Sequence, residues 1–302
     1  MKEPQAITQI VQHDDEATEK LLSVVSNADL EKVTQLIQEG ADVNVAVKEE
    51  GLWQGWTPLM FAAKSNKNPD VLQVLIDKGA DVNISNETGW TPLMSAALTN
   101  SNPDVLSILI NNGADVNAVD KYGMTPLMFA ASNNSNLDVL RILIYKGADI
   151  NAFIKNEGLF PGQTPLMFAA EKTSNPDFLR FLIGKGANVN AADKDGKTPL
   201  MFAAEKNSNP DVLRVLINKG ADVNVADKYR KTPLMFAAEK NSNPEVLRVL
   251  IDKGADVAIK NTNGKRALDY AEENVTLEGT DAYNLLREKT LSTKPSAKRL
   301  FG

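Results

Sequence analysis

The chain has 302 residues, 43% of them hydrophobic and 24% charged, an ordinary composition for a globular protein. Its net charge of -6, which becomes about -9 for the body once the three cations of the last dozen residues are set aside, disfavours phosphate-backbone binding and nucleic-acid partners. The absence of cysteine excludes disulfides, thiolate metal sites and Cys nucleophiles.

In chain order, residues 1–14 read as a polar N-terminal arm with no apolar signal segment, and they hold the only histidine, His13. No apolar run reaches the roughly 18 residues of a membrane-spanning helix, so no membrane partner is expected. A cytoplasmic location is expected, or a periplasmic or secreted one if a signal preceded Met1. Residues 15–44 contain two short amphipathic segments without Thr-Pro and read as an N-terminal cap.

Six copies of a helix-pair unit follow over 45–258. Thr-Pro recurs at Thr57, Thr91, Thr125, Thr164, Thr198 and Thr232, in steps of 34, 34, 39, 34 and 34. A 39-34-34 block occurs twice, so the plainest origin is duplication of three repeats, 107 residues in all. Within residues 198–224, Thr198-Pro199 predicts an N-cap with Pro at the first helical position. Asn209-Pro210-Asp211 repeats that start signal, and Lys219-Gly220 predicts a stop. The Ala-Asp-Val-Asn segment then predicts an extended strand turning on Gly. Each helix spans two or three turns and is marginal alone, so stability must come from stacking.

This pattern resembles the ankyrin repeat over roughly residues 15–290. The resemblance implies an all-α repeat solenoid of stacked helix pairs joined by β-turn fingers, about eight repeats including two caps. Residues 259–290, with Arg266-Ala267 in place of Thr-Pro, complete it as the C-terminal cap, and 291–302 form a basic tail. Three features depart from the family pattern. The period is 34, the histidine usual after Thr-Pro-Leu is Met60, Met94, Met128, Met167, Met201 and Met235, and Arg230 holds a turn position that is Gly elsewhere. The Asn-Pro-rich variant is similar to bacterial ankyrin proteins. The resemblance implies a monomer that binds another protein, without a cofactor.

No catalytic signature occurs. There is no Walker loop, GxGxxG, HExxH or Gly-x-Ser-x-Gly, and Asp193-Lys194-Asp195-Gly196 lacks the first and twelfth ligands of a calcium loop. An enzyme is not expected. Lys298–Gly302 resembles a basic-x-Leu-Phe docking peptide recognised by eukaryotic cyclins, a five-residue match that assigns nothing.

The residue before each Thr-Pro varies most: Trp56, Trp90, Met124, Gln163, Lys197 and Lys231, with Lys265 before the cap. Bulky groups at Leu52, Trp53, Tyr122, Leu159 and Phe160 sit nearby on the fingers. Together Leu52, Trp53, Trp56, Trp90, Tyr122, Met124, Leu159 and Phe160 form the expected protein-binding set, an exposed apolar patch with aromatic anchors. The alternative for any one of them is packing against its own finger. The two longer fingers, 45–56 and 152–163, are expected to project some 30 Å apart and grip a partner. An inhibitor or immunity-type protein covering an enzyme or toxin fits this pattern. A scaffold with one partner on the aromatic half and one on the Lys-rich half is the alternative, as is a secreted bacterial effector.

Overall fold

A computed structural model describes residues 16–156, 158 and 160–293. The chain divides into two compact units, Met1–Leu159 and Phe160–Gly302. His13, Leu159 and the Lys298–Gly302 motif lie outside the described residues. Sixteen helices, and no strand, occur among those described.

The first unit contains four helix pairs: α1 (Glu16–Val24) with α2 (Leu30–Gln38), α3 (Pro58–Ser65) with α4 (Pro69–Asp77), α5 (Pro92–Thr99) with α6 (Pro103–Asn111), and α7 (Pro126–Asn133) with α8 (Leu137–Tyr145). First helices pack on first helices (α3 on α5, α5 on α7), and second helices on second helices (α2, α4, α6 and α8 in turn). The second unit repeats the plan with α9 (Pro165–Lys172) and α10 (Pro176–Gly184), α11 (Pro199–Lys206) and α12 (Pro210–Asn218), α13 (Pro233–Lys240) and α14 (Pro244–Asp252). It closes with α15 (Ala267–Ala271) and α16 (Asp281–Ser292), which runs two residues past the expected end of the cap at 290. No described helix is long and apolar enough to cross a membrane.

Paired alanines explain the close stacking of first helices, since Ala62, Ala63, Ala96, Ala97, Ala130 and Ala131 are all buried. The six methionines of the Thr-Pro-Leu-Met segments are buried too, apolar fillers in the place of a polar ring. The asparagine starts behave as expected, five of them before Pro and Asn136 before Leu137: Asn68, Asn102, Asn136, Asn175, Asn209 and Asn243 each accept from the backbone two residues on, at 2.9–3.0 Å.

Two expectations fail. Thr198 does not cap its helix, nor do Thr57 and Thr164; their buried hydroxyls have no hydrogen-bond partner among the described residues. Thr91, Thr125 and Thr232 do cap, but at 3.3–3.4 Å, so this geometry holds threonine at the limit of reach. The extended strand is also absent. Each finger of ordinary length closes through a pair such as Asp120 N to Met124 O at 3.1 Å across a five-residue turn, too short for a ladder.

A second register comes from asparagine amides. Within the first unit Asn66, Asn100 and Asn134 are buried, and each Nδ2 donates to two carbonyls of the preceding repeat. Asn207, Asn241 and Asn274 do the same within the second unit. The position is Thr173 in the first pair of that unit, where the hydroxyl accepts from Asn175 N at 3.1 Å.

Candidate functional site

The first long finger is closed by Val47 N to Trp56 O at 2.9 Å and Gly55 N to Val47 O at 2.8 Å. Gly55 has φ +75°, and a Cβ there would lie 2.8 Å from the Asn86 Cβ of the next finger, so only glycine allows this approach. Gly162 meets the same demand in the second unit, with its would-be Cβ 2.7 Å from Lys194 N. Asn86 then ties the first two fingers together, donating to Gln54 O at 3.3 Å while its Oδ1 accepts from Trp90 N at 3.0 Å.

The three tryptophans form one cluster on these fingers. The Trp53 ring lies 4.6 Å edge-on to Trp56, Trp56 packs 5.1 Å from Phe61, and Trp56 and Trp90 stack at 6.3 Å. Trp56 is only 6% exposed, and Met124 is equally buried. Neither is an exposed anchor, contrary to expectation. A side chain just before Thr-Pro folds back over its own first helix, and Trp56 meets Phe61 there. Leu52 at the finger tip is 89% exposed, while Trp53 and Trp90 are half-buried.

These residues surround a cavity of about 320 Å³, lined by Leu52, Trp53, Trp56, Trp90, Ser95 and Leu98 among its apolar and small groups. Lys64, Asn86, Glu87 and Thr88 supply its polar rim, and the Lys64 ammonium sits 4.5 Å from the Trp53 ring centroid. Sequence reasoning overlooked the two residues that open this space. Ser95 stands where the other five Thr-Pro repeats have Phe, and Leu98 stands where they have Lys, Ser or Glu. With no phenyl ring at 95, the Trp90 indole turns in and donates Nε1–H to Ser95 Oγ at 2.6 Å, its ring 4.6 Å edge-on to Phe129. Two departures within one repeat were the legible signal.

Thus Leu52, Trp53, Trp56 and Trp90 come together, and Tyr122 and Met124 do not join them in this cavity. Tyr122 is 42% exposed, with the Lys121 ammonium 5.1 Å from its ring centroid. Phe160, in the second unit, is partly exposed and packs 5.7 Å from Phe168.

In the second unit the basic finger residues are not free charges. Lys197 donates to Glu205 at 2.7 Å, Lys231 to Glu239 at 2.6 Å and Lys265 to Glu273 at 2.8 Å. Each also overlies rings: Lys197 is 4.5 Å from Phe236, Lys231 4.7 Å from Tyr270, and Lys265 5.2 Å from Tyr270. Glu205 is 4% exposed and also accepts from Lys240 at 2.6 Å. Burial resists its ionisation, but the two ammoniums outweigh that and hold its carboxyl below the usual range.

The family model for ankyrin repeats (3 copies) matches the chain at residues 21–120, 65–154 and 153–227. A second model, ankyrin repeats (many copies), matches residues 216–271. The chain belongs to the ankyrin-repeat family. Among solved structures, the ankyrin-repeat domain of human ASB11 superposes with a TM-score of 0.65 at 26% identity, over 77% of this chain and 97% of that one. Two curated relatives are the mitochondrial disaggregases of Homo sapiens and Bos taurus, 40% and 39% identical over 67 residues. That match spans 22% of this chain and 9% of either relative's length. Ankyrin repeats are a protein-interaction module, typically a non-catalytic binding scaffold.

Proposed function

We propose that this ankyrin-repeat protein acts as a monomer that captures one protein partner through the tryptophan cavity of its first two fingers. The observation that carries the reading is the coincidence of Ser95 and Leu98 with Trp53 and Trp90, which opens an apolar cavity of about 320 Å³ where other repeats carry a phenyl ring. Half-buried aromatics beside a pocket suit anchor roles, because they desolvate fully when a partner seats on them. On this reading the protein is an inhibitor or immunity-type module that covers an enzyme or toxin. The two-partner scaffold loses support, since the lysines it would use are paired with Glu205, Glu239 and Glu273.

The test is affinity capture from the source organism with mass spectrometry, followed by binding and activity assays on the captured partner. Leu52→Ser removes an exposed side chain without touching the core, and Trp90→Ala removes an anchor. Binding should fall at least fivefold for the first and about 30-fold for the second, which is about 2 kcal/mol. Lys231→Glu should leave binding within twofold. Loss of binding with Lys231→Glu and not with the finger variants would overturn the assignment.

A further inference from the structure

Every finger but one completes its turn with a glycine. Gly55, Gly89, Gly123, Gly162, Gly196 and Gly264 hold that place at φ +75° to +83°. The finger before α13 has Arg230 there, at φ +60°, the one non-glycine residue of positive φ among those described. A side chain is doubly disfavoured at this place. The left-handed region crowds its Cβ against its own backbone, and the next finger stands close: at Gly196 a Cβ would lie 3.2 Å from Lys228 N. Folding alone would select glycine.

The arginine has no counter-charge within the protein to account for it. Arg230 is exposed, and no carboxylate among the described residues forms an ion pair with it. The acid of its own turn, Asp227, is buried and accepts from Tyr229 N at 2.9 Å and Lys231 N at 2.7 Å. The neighbouring lysines are neutralised, Lys228 by Asp195 at 2.6 Å, Lys231 by Glu239 and Lys265 by Glu273. On the next finger Lys260, exposed and likewise without an ion pair among the described residues, stands where the two preceding fingers have Ala192 and Ala226. Residues 257–268 contain no Asp or Glu. Tyr229 O accepts from Thr262 N at 2.9 Å and fastens the two fingertips together. Arg230 and Lys260 therefore leave the backbone within about 10 Å of each other, and both side chains can reach one carboxylate. Tyr229, 53% exposed, adds an aromatic face beside Arg230, and Tyr and Arg are typical interface anchors. A guanidinium takes a carboxylate through two parallel hydrogen bonds, and an ammonium adds a point charge. A nucleic-acid strand needs a longer row of free cations than these fingers offer.

We propose that the fingertips before α13 and α15 bind an acidic peptide segment of a protein partner, with an Asp or Glu held between Arg230 and Lys260. The site belongs to the second unit and stands independently of the tryptophan cavity. The test measures a fluorescein-labelled decaglutamate peptide against the intact chain by fluorescence anisotropy, alongside thermal melts. Arg230→Gly should raise the melting temperature, because it relieves the turn, and yet weaken the peptide at least fivefold. Lys260→Ala, which installs the residue of the preceding fingers, should weaken it at least threefold. Lys219→Gln, an equal loss of charge at an exposed lysine of the same unit, should leave binding within twofold. Arg230→Gly that stabilises the chain without weakening the peptide would overturn the inference, as would a fall in melting temperature, which would make Arg230 a packing residue. Equal losses for all three variants would reduce the effect to net charge and overturn it too. The absence of any peptide binding, or tighter binding of a single-stranded oligonucleotide through the same residues, would also overturn it, and none of these outcomes touches the tryptophan-cavity reading.

Discussion

Trp56 gives the sharpest test of how the aromatic cluster is organised. It contacts Trp53, Phe61 and Trp90 and is almost wholly buried, so Trp56→Ala creates a core cavity rather than a bare surface. An indole buries about 200 Å², which at about 25 cal/mol per Å² is about 5 kcal/mol as an upper limit. Core Trp-to-Ala substitutions cost about 3–5 kcal/mol, and the upper part of that range applies where three rings lose a common neighbour. Trp53 is half-buried, so Trp53→Ala should cost about 1–2 kcal/mol. Because each repeat is stabilised only by its neighbours, the loss should stay local. Hydrogen exchange should show amides of α1–α4 losing protection while those of α11–α16 keep it, and urea melts should shift for the first unit's transition. Equal, small losses for Trp53→Ala and Trp56→Ala would refute the division into packing and contact residues.

Two further predictions concern titration. Burial pushes the Asp120 carboxyl up, despite amide hydrogen bonds from Met124, Tyr122 and Gly123, so its stabilising contribution is full below the unfolded-state pKa and lost as pH rises through the folded one. Asn86 and Asn261 hold the same turn position without a charge, so Asp120→Asn should raise the melting temperature at pH 7 and match the parent near pH 3. Glu205 runs the other way: its carboxyl is held low, so its stability is present above the ordinary glutamate range and lost as pH falls through the folded pKa. Glu205→Gln should cost about 1–2 kcal/mol at pH 7 by thermal or urea melts, with the gap closing on acidification.

Much of the fold is legible because the repeats state their rules six times. Asn-Pro starts and Gly stops are local chemistry, and they appear where the spacing put them. Arg230 sits at φ +60°, the left-handed geometry its place in the turn register demands. What the sequence hides depends on chain reversal. Lys197 and Glu205 are eight residues apart, a separation with no helical meaning, and they meet only because the finger folds back over α11. The same reversal buries Trp56, whose composition alone suggests an exposed anchor. The cavity was hidden for another reason: it arises from what residue 95 lacks, and a missing ring draws less notice than three tryptophans.

The asparagine amides of the inter-helix turns have a consequence for how such a chain grows. Each Nδ2 reads only main-chain carbonyls of the repeat before it, and never a side chain. Main-chain oxygens are the same whatever residue bears them. A joint built this way accepts any neighbour with the right backbone, so a length of sequence can be copied and inserted without re-matching its ends. Within each copy of the 107-residue block the joints are indifferent to the side chains around them, which leaves the fingers free to diverge, tryptophans on one copy and paired lysines on the other.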